Sequence, residues 1–385
     1  MNNYIQHVLE STPLIYVLLE YDGTINYVSP GLQKVLGLNP VDVLQQNWFD
    51  VTRKNSGELD RIKLKINQFT TSNDTILSNY VEQLNDAYGK SVYILWNTIK
   101  TPDNKLVGTG QDITLQITHE LELSKYNKQL KSLNSNINDS INYAARLQNA
   151  ILKDPKELVN LFPNSSILYS PKDIVSGDFY FFTEVNNETF VAVIDCTGHG
   201  VPGAMLSIIA NTLLRDIISN RKIKSCAEIL TLLDREFINY LNENNPNLAI
   251  SDGMDIALCR FNKERTSVCY SGAFRPLIII RGEEVLTFKA NKYPIGLYSD
   301  VSKSFEEINI KLEKNDHLAL FTDGYIDQFG GEKGKKFNRK QFNELLVDSS
   351  KLEGFEAKKY LEYTFENWKQ NEDQVDDVTV IQIGV

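Results

Sequence analysis

Four acidic positions share one local pattern. Asp178 follows Ser176-Gly177 and opens the aromatic run Phe179-Tyr180-Phe181-Phe182, whereas Asp195 closes the apolar run Val191-Ala192-Val193-Ile194 and leads into Cys196-Thr197-Gly198-His199-Gly200. Asp323 closes Leu318-Ala319-Leu320-Phe321-Thr322 ahead of Gly324, and Asp376 with Asp377 opens Val378-Thr379-Val380-Ile381. A carboxylate at the end of a buried strand, beside glycine that lets backbone approach a ligand, can mount a hard cation. Taken singly, each is also compatible with turn chemistry, and Asp195 with capping the apolar helix that begins near Val201-Pro202-Gly203. If the four converge, they repel one another unless cations sit among them. Oxygen ligands without a partnering His or Cys cluster favour Mg²⁺ or Mn²⁺ over zinc. Two such ions about 3.5–4 Å apart can share a water, lower its pKa and aim it at phosphorus. The chemistry implied is in-line hydrolysis of a phosphomonoester with no covalent enzyme intermediate.

The elements that must position these groups are short β-branched and aromatic runs of strand length, separated by Gly turns. Two or three domains are expected for 385 residues. With 42% hydrophobic and 23% charged residues the composition is that of ordinary globular protein. The net charge of −10, without a basic stripe, argues against a nucleic-acid partner. No secretory pattern is visible at the N-terminus, and runs such as Pro276-Leu277-Ile278-Ile279-Ile280 are too short to cross a bilayer, so a cytoplasmic protein without membrane association is expected. The four cysteines, Cys196, Cys226, Cys259 and Cys269, form no CxxC pair and are expected reduced and buried.

Residues 1–118 alternate strand patterns with polar turns. Asp22-Gly23 between Leu14–Glu20 and Ile25–Pro30 is a hairpin signal. Helical spacing through Leu32, Val35 and Leu36 stops at Gly37, Asn39-Pro40 opens another helix, and further strands are expected at 76–82, 91–100 and 105–113. Asp22-Gly23-Thr24-Ile25-Asn26-Tyr27-Val28-Ser29, Leu36-Gly37 and the closing Gln111-Asp112-Ile113-Thr114 resemble a PAS domain. That resemblance implies a signal-input or dimerisation module with an antiparallel sheet and helices. Its ligand is unknown. Residues 8–118 hold no His for haem and no Cys for a flavin–thiol adduct, while Trp48 and Trp96 could line a pocket or simply fill a core.

From His119 to Leu152 there is neither Gly nor Pro, and Pro155 ends the run. Leu123, Tyr126, Leu130, Leu133, Ile137, Ser140, Ala144, Leu147 and Ile151 follow alternating three- and four-residue spacing. The spacing predicts a helical linker over 119–155, either a parallel dimeric coiled coil or one amphipathic helix packed on the next domain. Ser140 and Ala144 would weaken the lower half of a seam. His119-Glu120-Leu121 is similar to the phosphoacceptor segment of sensor histidine kinases, but nothing after residue 155 supplies the ATP-binding domain such a kinase needs.

In residues 156–385, Val175-Ser176-Gly177-Asp178-Phe179-Tyr180, Asp195-Cys196-Thr197-Gly198-His199-Gly200, Asp252-Gly253-Met254-Asp255, Ser271-Gly272-Ala273, Thr322-Asp323-Gly324 and Asp376-Asp377-Val378-Thr379-Val380 stand in the order of the SpoIIE-like branch of PP2C (PPM-type) serine/threonine phosphatases. The likeness extends into the preceding Ile141–Leu152 segment. It implies an α-β-β-α sandwich with two Mn²⁺ or Mg²⁺ ions in a cleft at one end of the sheets. Carried residue by residue, Asp178 and Asp195 would hold or bridge the ions, Cys196 would lend its backbone carbonyl, and Asp323 and Asp376 would complete the set. Asp255 and Asp377 rank lower. His199 is either a general acid for the leaving alkoxide or a packing residue of the turn. No position matches the phosphate-binding Arg of many eukaryotic members, and Ser176 replaces a common Gly. The expected architecture is therefore α+β: a PAS fold, a long helical linker and a PP2C-like sandwich. The expected function is a PAS-regulated, dimeric, metal-dependent phosphatase acting on a phosphorylated regulatory protein. A STAS-type anti-sigma antagonist is the substrate implied by the resemblance alone, and the alternative is an inactive phosphatase-like scaffold.

Overall fold

The computed structural model describes residues 7, 11–52, 56–242, 252–296 and 303–385, without the side chains of 56–59. Residues 1–6 and 8–10 of the expected first domain lie outside the described residues. The chain divides into two compact units, Met1–Asn134 and Ser135–Val385.

The first unit is built on an antiparallel sheet of β1 (Ile15–Glu20), β2 (Ile25–Val28), β3 (Ile76–Asn85), β4 (Ser91–Lys100) and β5 (Lys105–Asp112), in the order β2-β1-β5-β4-β3. The β1–β2 hairpin turns at Asp22-Gly23, where Gly23 takes φ 92° and the Asp22 carboxylate accepts the Thr24 N–H at 2.9 Å. Helices α1 (Gly31–Leu36), α2 (Pro40–Val43), α3 (Trp48–Thr52) and α4 (Ser56–Thr71) separate β2 from β3. Gly37 caps α1 in the left-handed conformation, and Asn39 caps α2 with Pro40 at its first position. Strand side chains alternate inward: Ile15, Val17, Leu19, Ile94, Trp96 and Leu106 meet Leu32, Leu36, Phe49, Ile66 and Phe69. Trp48 and Trp96 pack edge to face, centroids 5.5 Å apart, and the cavity beside them is only about 20 Å³, room for one water. They are core.

Helix α5 (Thr114–Ile151) starts five residues before the expected 119, where Asp112 accepts the Thr114 N–H at 2.8 Å and Ile113 O takes the Ile117 N–H at 3.0 Å. Its apolar residues Leu123, Tyr126, Leu130, Leu133 and Ile137 are all more than half exposed. The one buried residue on it is polar, Gln148. A short helix α6 (Pro155–Leu161), capped by Asp154, follows.

The second unit stacks two sheets between helix pairs. One sheet contains β7 (Asp178–Val185), β8 (Glu188–Cys196), β9 (Gly253–Phe261), β10 (Ser267–Ala273), β13 (Ile295–Gly296) and β14 (Ile308–Lys311). The other runs β12-β11-β15-β18-β6, with β6 at Ser165–Ser170, β11 at Leu277–Arg281, β12 at Glu284–Phe288, β15 at His317–Phe321 and β18 at Val378–Gly384, while β16 (Phe329–Gly330) and β17 (Lys335–Lys336) form a small separate hairpin. Alternate residues of single strands feed different cores, which is why these strands are apolar on both faces. From β8, Val191 and Val193 enter the core between the sheets, while Phe190, Ala192 and Ile194 pack under α7 (Gly200–Arg215) and α8 (Cys226–Asn242). From β18, Ile381 and Ile383 face the other sheet, and Val378 and Val380 face α10 (Asn338–Ser350) and α11 (Gly354–Lys369), the last helices after the short α9 (Gly324–Asp327). With its continuation to Asn220, α7 is long and apolar enough by composition to cross a membrane. Its residues Leu206, Ala210 and Leu214 are instead buried in the first helix-on-sheet core.

Candidate active site

Antiparallel pairing brings the acidic strand ends to one edge of the sandwich. Asp178 at the start of β7 lies opposite Asp195 at the end of β8, and Asp195 lies opposite Asp255 at the start of β9. Directly opposed residues project to the same side of a sheet. Here that side is the inter-sheet one, since Val193, two residues before Asp195, and Tyr180, two after Asp178, belong to the inter-sheet core. The second sheet supplies Asp323 after β15 and Asp376 before β18. The ends of those strands are tied by Thr322 N–H to Thr379 O at 3.0 Å and Thr379 N–H to Thr322 Oγ1 at 3.0 Å.

Glycines set how closely these ends approach. A Cβ on Gly177 would sit 2.3 Å from the Gly198 carbonyl oxygen, and one on Gly203 also 2.3 Å from it, so the β7 entry, the turn after β8 and the first turn of α7 fit only without side chains there. Gly324 is under the same constraint, since a Cβ there would sit 2.1 Å from the Asp377 carbonyl oxygen.

Asp377 supports the loop that carries Asp178. Its Oδ1 accepts the Lys172 N–H and its Oδ2 the Gly177 N–H, each at 2.7 Å. Asp376 takes the Asp377 N–H on Oδ1 at 2.9 Å. The same loop is held from the other side by Gln148 of α5. Its amide N–H groups donate to Ser176 O at 2.6 Å and Ser207 Oγ at 2.8 Å, and its oxygen accepts the Ser176 N–H at 3.2 Å. His199 stands at the cap of α7, with Nδ1 2.7 Å from Asp173 Oδ2 and Nε2 3.2 Å from Lys172 Nζ. A protonated lysine only donates, so Nε2 accepts and the ring proton lies on Nδ1, facing Asp173.

Arg275, two residues past β10, was not anticipated from the sequence. Its Nη2 lies 2.8 Å from Asp195 Oδ2, 2.9 Å from Asp255 Oδ2 and 2.7 Å from Asp323 Oδ2. Three carboxylates from both sheets thus converge on one cationic nitrogen. Burial pushes Asp195 up to about 7 against the pull of Arg275, and raises Asp255 and Asp376 as well. Burial, with Asp195 across the strand, pushes Asp178 well above the carboxylate range. Burial also works against charge on Arg275, but Asp195, Asp323 and Asp255 hold it protonated. The Oδ2 of Asp178 is buried with no hydrogen-bond partner. An all-oxygen donor set that already gathers around a cation and leaves a buried carboxylate oxygen unused fits a hard divalent ion. Cys196 is buried, and burial pushes its thiol well up, so that side chain is a poor ligand while its backbone remains beside Asp195. Among the described residues a tighter acid–thiol group exists at Cys226, Cys269 and Glu307. There Glu307 is already engaged by Ser225 Oγ at 2.8 Å and Ala227 N–H at 3.2 Å, and Cys226 donates to the Cys269 carbonyl.

The family profile of SpoIIE (Stage II sporulation protein E) matches residues 186–385, just over half of the chain. The chain belongs to the SpoIIE family. Among solved structures, the SpoIIE-family unit is similar to the SiaA PP2C domain of Pseudomonas aeruginosa, at 29% identity over 66% of this chain and 97% of that one, with a TM-score of 0.59. The PP2C phosphatase domain and regulatory fragment of Bacillus subtilis SpoIIE align at 18% identity over 58% of this chain and 63% of that one, TM-score 0.46. The RsbU and RsbW domains of a Mycobacterium tuberculosis protein align at 18% over 57% and 59%, TM-score 0.44. No curated protein matches the chain. The SpoIIE-family unit thus carries a PP2C-like fold.

Beside the acidic edge, Asp195, Thr197, Gly253, Met254, Asp255, Phe274 and Pro294 line an open cleft of about 400 Å³. Two contributors escaped the sequence reading. Arg275 lies two residues after the block Ser271-Gly272-Ala273, and Gln148 lies inside the Ile141–Leu152 segment.

Proposed function

We propose that the C-terminal unit is a divalent-metal-dependent phosphoserine/phosphothreonine protein phosphatase. The observation that carries this reading is the convergence of Asp195, Asp255 and Asp323 on a single cationic nitrogen, with Asp178 opposed to Asp195. Asp178, Asp195, Asp323 and Asp376, with the Cys196 carbonyl, are the residues that would hold two Mn²⁺ or Mg²⁺ ions, and Asp255 adds a carboxylate at the cleft side. Bound there, the ions would supply an activated water and draw charge from the phosphoryl group. The chain's own part is preorganisation. Asp377 and Gln148 fix the Ser176-Gly177-Asp178 turn, the glycines bring strand ends together, and the cleft admits a phosphorylated side chain. His199, engaged by Asp173 and Lys172, acts as a strap across the β7 loop and the start of α7. The test is hydrolysis of p-nitrophenyl phosphate and of a phosphoserine peptide in Mn²⁺, with EDTA expected to remove the activity and Mn²⁺ to restore it. Turnover that persists in EDTA would overturn the metal-dependent mechanism.

The first unit is read as a PAS input domain. Support comes from its antiparallel sheet in the order β2-β1-β5-β4-β3 with helices between β2 and β3. The phosphatase is assigned to the cytoplasm, acting on a phosphorylated regulatory protein for which a STAS-type antagonist is the leading class. The chain is read as a parallel homodimer through α5, whose Leu123, Tyr126, Leu130, Leu133 and Ile137 are exposed at coiled-coil spacing. Leu130→Asp with Leu133→Asp is expected to convert a dimer into a monomer in size-exclusion chromatography with light scattering. An unchanged mass would remove the coiled-coil assignment.

A further inference from the structure

The turn that delivers Arg275 is strained and aimed. After β10, Phe274 takes φ 58°, a conformation rare for a bulky side chain, and the Arg275 N–H closes a tight turn on Ala273 O at 2.7 Å. Tyr270 Oη holds the Arg275 carbonyl at 2.6 Å, and Asn291 O takes the Phe274 N–H at 2.9 Å, so the turn cannot relax freely. The side chain is 13% exposed, and its Nε is buried with no hydrogen-bond partner. A guanidinium normally meets carboxylates through its planar fork, two nitrogens to two oxygens. Here one nitrogen serves oxygens of Asp195, Asp255 and Asp323 together, while another buried donor is unused. Three oxygens closing on a point within 2.9 Å is the arrangement of a cation seat, occupied by a side chain that fits it poorly.

We propose that Arg275 is a built-in surrogate cation: its guanidinium and a divalent ion exclude each other at Asp195, Asp255 and Asp323, and the displaced guanidinium becomes the group that binds the substrate's phosphoryl oxygens. The first half follows from charge. The guanidinium keeps the acidic edge assembled without ions, and an entering ion makes it redundant and repels it. The second half follows from what the freed side chain meets. Its turn borders the cleft through Phe274, and a phosphoryl dianion is the anion that the reaction brings there, matched to the guanidinium fork. Arg275 would thus serve as the phosphate-binding arginine for which the sequence offered no match. The inference rests on the reading of these carboxylates as an ion site.

The test uses the full chain. Mn²⁺ is titrated into wild type, Arg275→Gln and Arg275→Lys, and the electron paramagnetic resonance signal of free Mn²⁺ is followed. Arg275→Gln is expected to bind Mn²⁺ at least tenfold more tightly than wild type, with Arg275→Lys close to wild type. Calorimetry on Mn²⁺-saturated protein is expected to show inorganic phosphate binding at least tenfold more weakly to Arg275→Gln. Thermal melts supply the control: the variant should lose stability in EDTA and regain the wild-type Tm in saturating Mn²⁺. Equal Mn²⁺ affinity in wild type and Arg275→Gln, unchanged phosphate affinity, or the same Tm loss with and without Mn²⁺ would each overturn the proposal. If wild type and every variant bind no Mn²⁺, it is the ion site that fails.

Discussion

Asp178→Asn is expected to leave the fold intact and remove the chemistry. Asp178 faces Asp195 across the β7–β8 pair, and its Oδ2 has no partner. Like charges directly opposite on neighbouring strands are destabilising, so a neutral side chain of the same shape costs the ion-free protein little. The Tm measured in EDTA should therefore stay within about 2 °C of wild type, a shift of roughly half to one kcal/mol for a unit of this size. In Mn²⁺ the two proteins should separate. An ion at one hundred times its Kd stabilises the folded state by about 2.7 kcal/mol, an increment the variant should lack. Hydrolysis of an aryl phosphate should fall about 10³-fold, equivalent to ~4 kcal/mol of barrier. Asp195→Asn should lose activity similarly but also lower the EDTA Tm, because Asp195 pairs with Arg275 and Asp178 does not. Wild-type activity in Asp178→Asn would sink the assignment of this carboxylate.

The second large effect concerns Gln148, far from the acidic edge in function though one turn of chain from it in contact. Its side chain satisfies both the N–H and the C=O of Ser176, two residues before Asp178, and also reaches Ser207 of α7. Gln148→Ala leaves buried backbone groups unpaired, each costing about 1–3 kcal/mol. A Tm loss of roughly 5–10 °C is expected, together with weaker Mn²⁺ binding and at least a tenfold drop in kcat/KM, since the turn bearing Asp178 loses one of its two anchors. Gln148→Glu sets a carboxylate oxygen against the Ser176 carbonyl in a buried site, so it should lose at least as much as Gln148→Ala. If Gln148→Ala loses stability yet binds Mn²⁺ and turns over normally, the glutamine is structural glue only. Gln148 is the one buried residue of α5, whose Leu123, Tyr126, Leu130, Leu133 and Ile137 are exposed, so the turn bearing Asp178 is held by a residue of this helix.

Much of this was legible in the chain itself. Strand β4 falls at the expected 91–100 and the Asp22-Gly23 hairpin forms, because local alternation and turn chemistry decide them. The acidic strand ends could be recognised because apolar runs end abruptly in Asp beside Gly. What no window of sequence shows is which ends meet. Arg275 was invisible because its direction depends on a left-handed Phe274, a conformation that sequence pattern assigns to Gly or Asn. Gln148 was hidden because a polar residue in an amphipathic helix reads as solvent-facing, and its burial is set by Ser176 and Ser207, 28 and 59 residues away. The family resemblance alone ranks Asp377 below Asp376, with no physical reason visible in the sequence. The turn at 172–177, whose N–H groups donate to both oxygens of Asp377, gives a physical difference between them.

Strand β18 lies inside its sheet, between β15 and β6, and it carries Asp376 and Asp377 at its head. During synthesis β6, β11, β12 and β15 all emerge before it, and the gap between β15 and β6 must wait for a segment made about two hundred residues after β6. Until that segment is threaded, Gly177 lacks the carboxylate that fixes its turn and the acidic edge lacks one wall. A nascent chain can therefore complete its first sheet while the acidic edge still lacks Asp376 and Asp377.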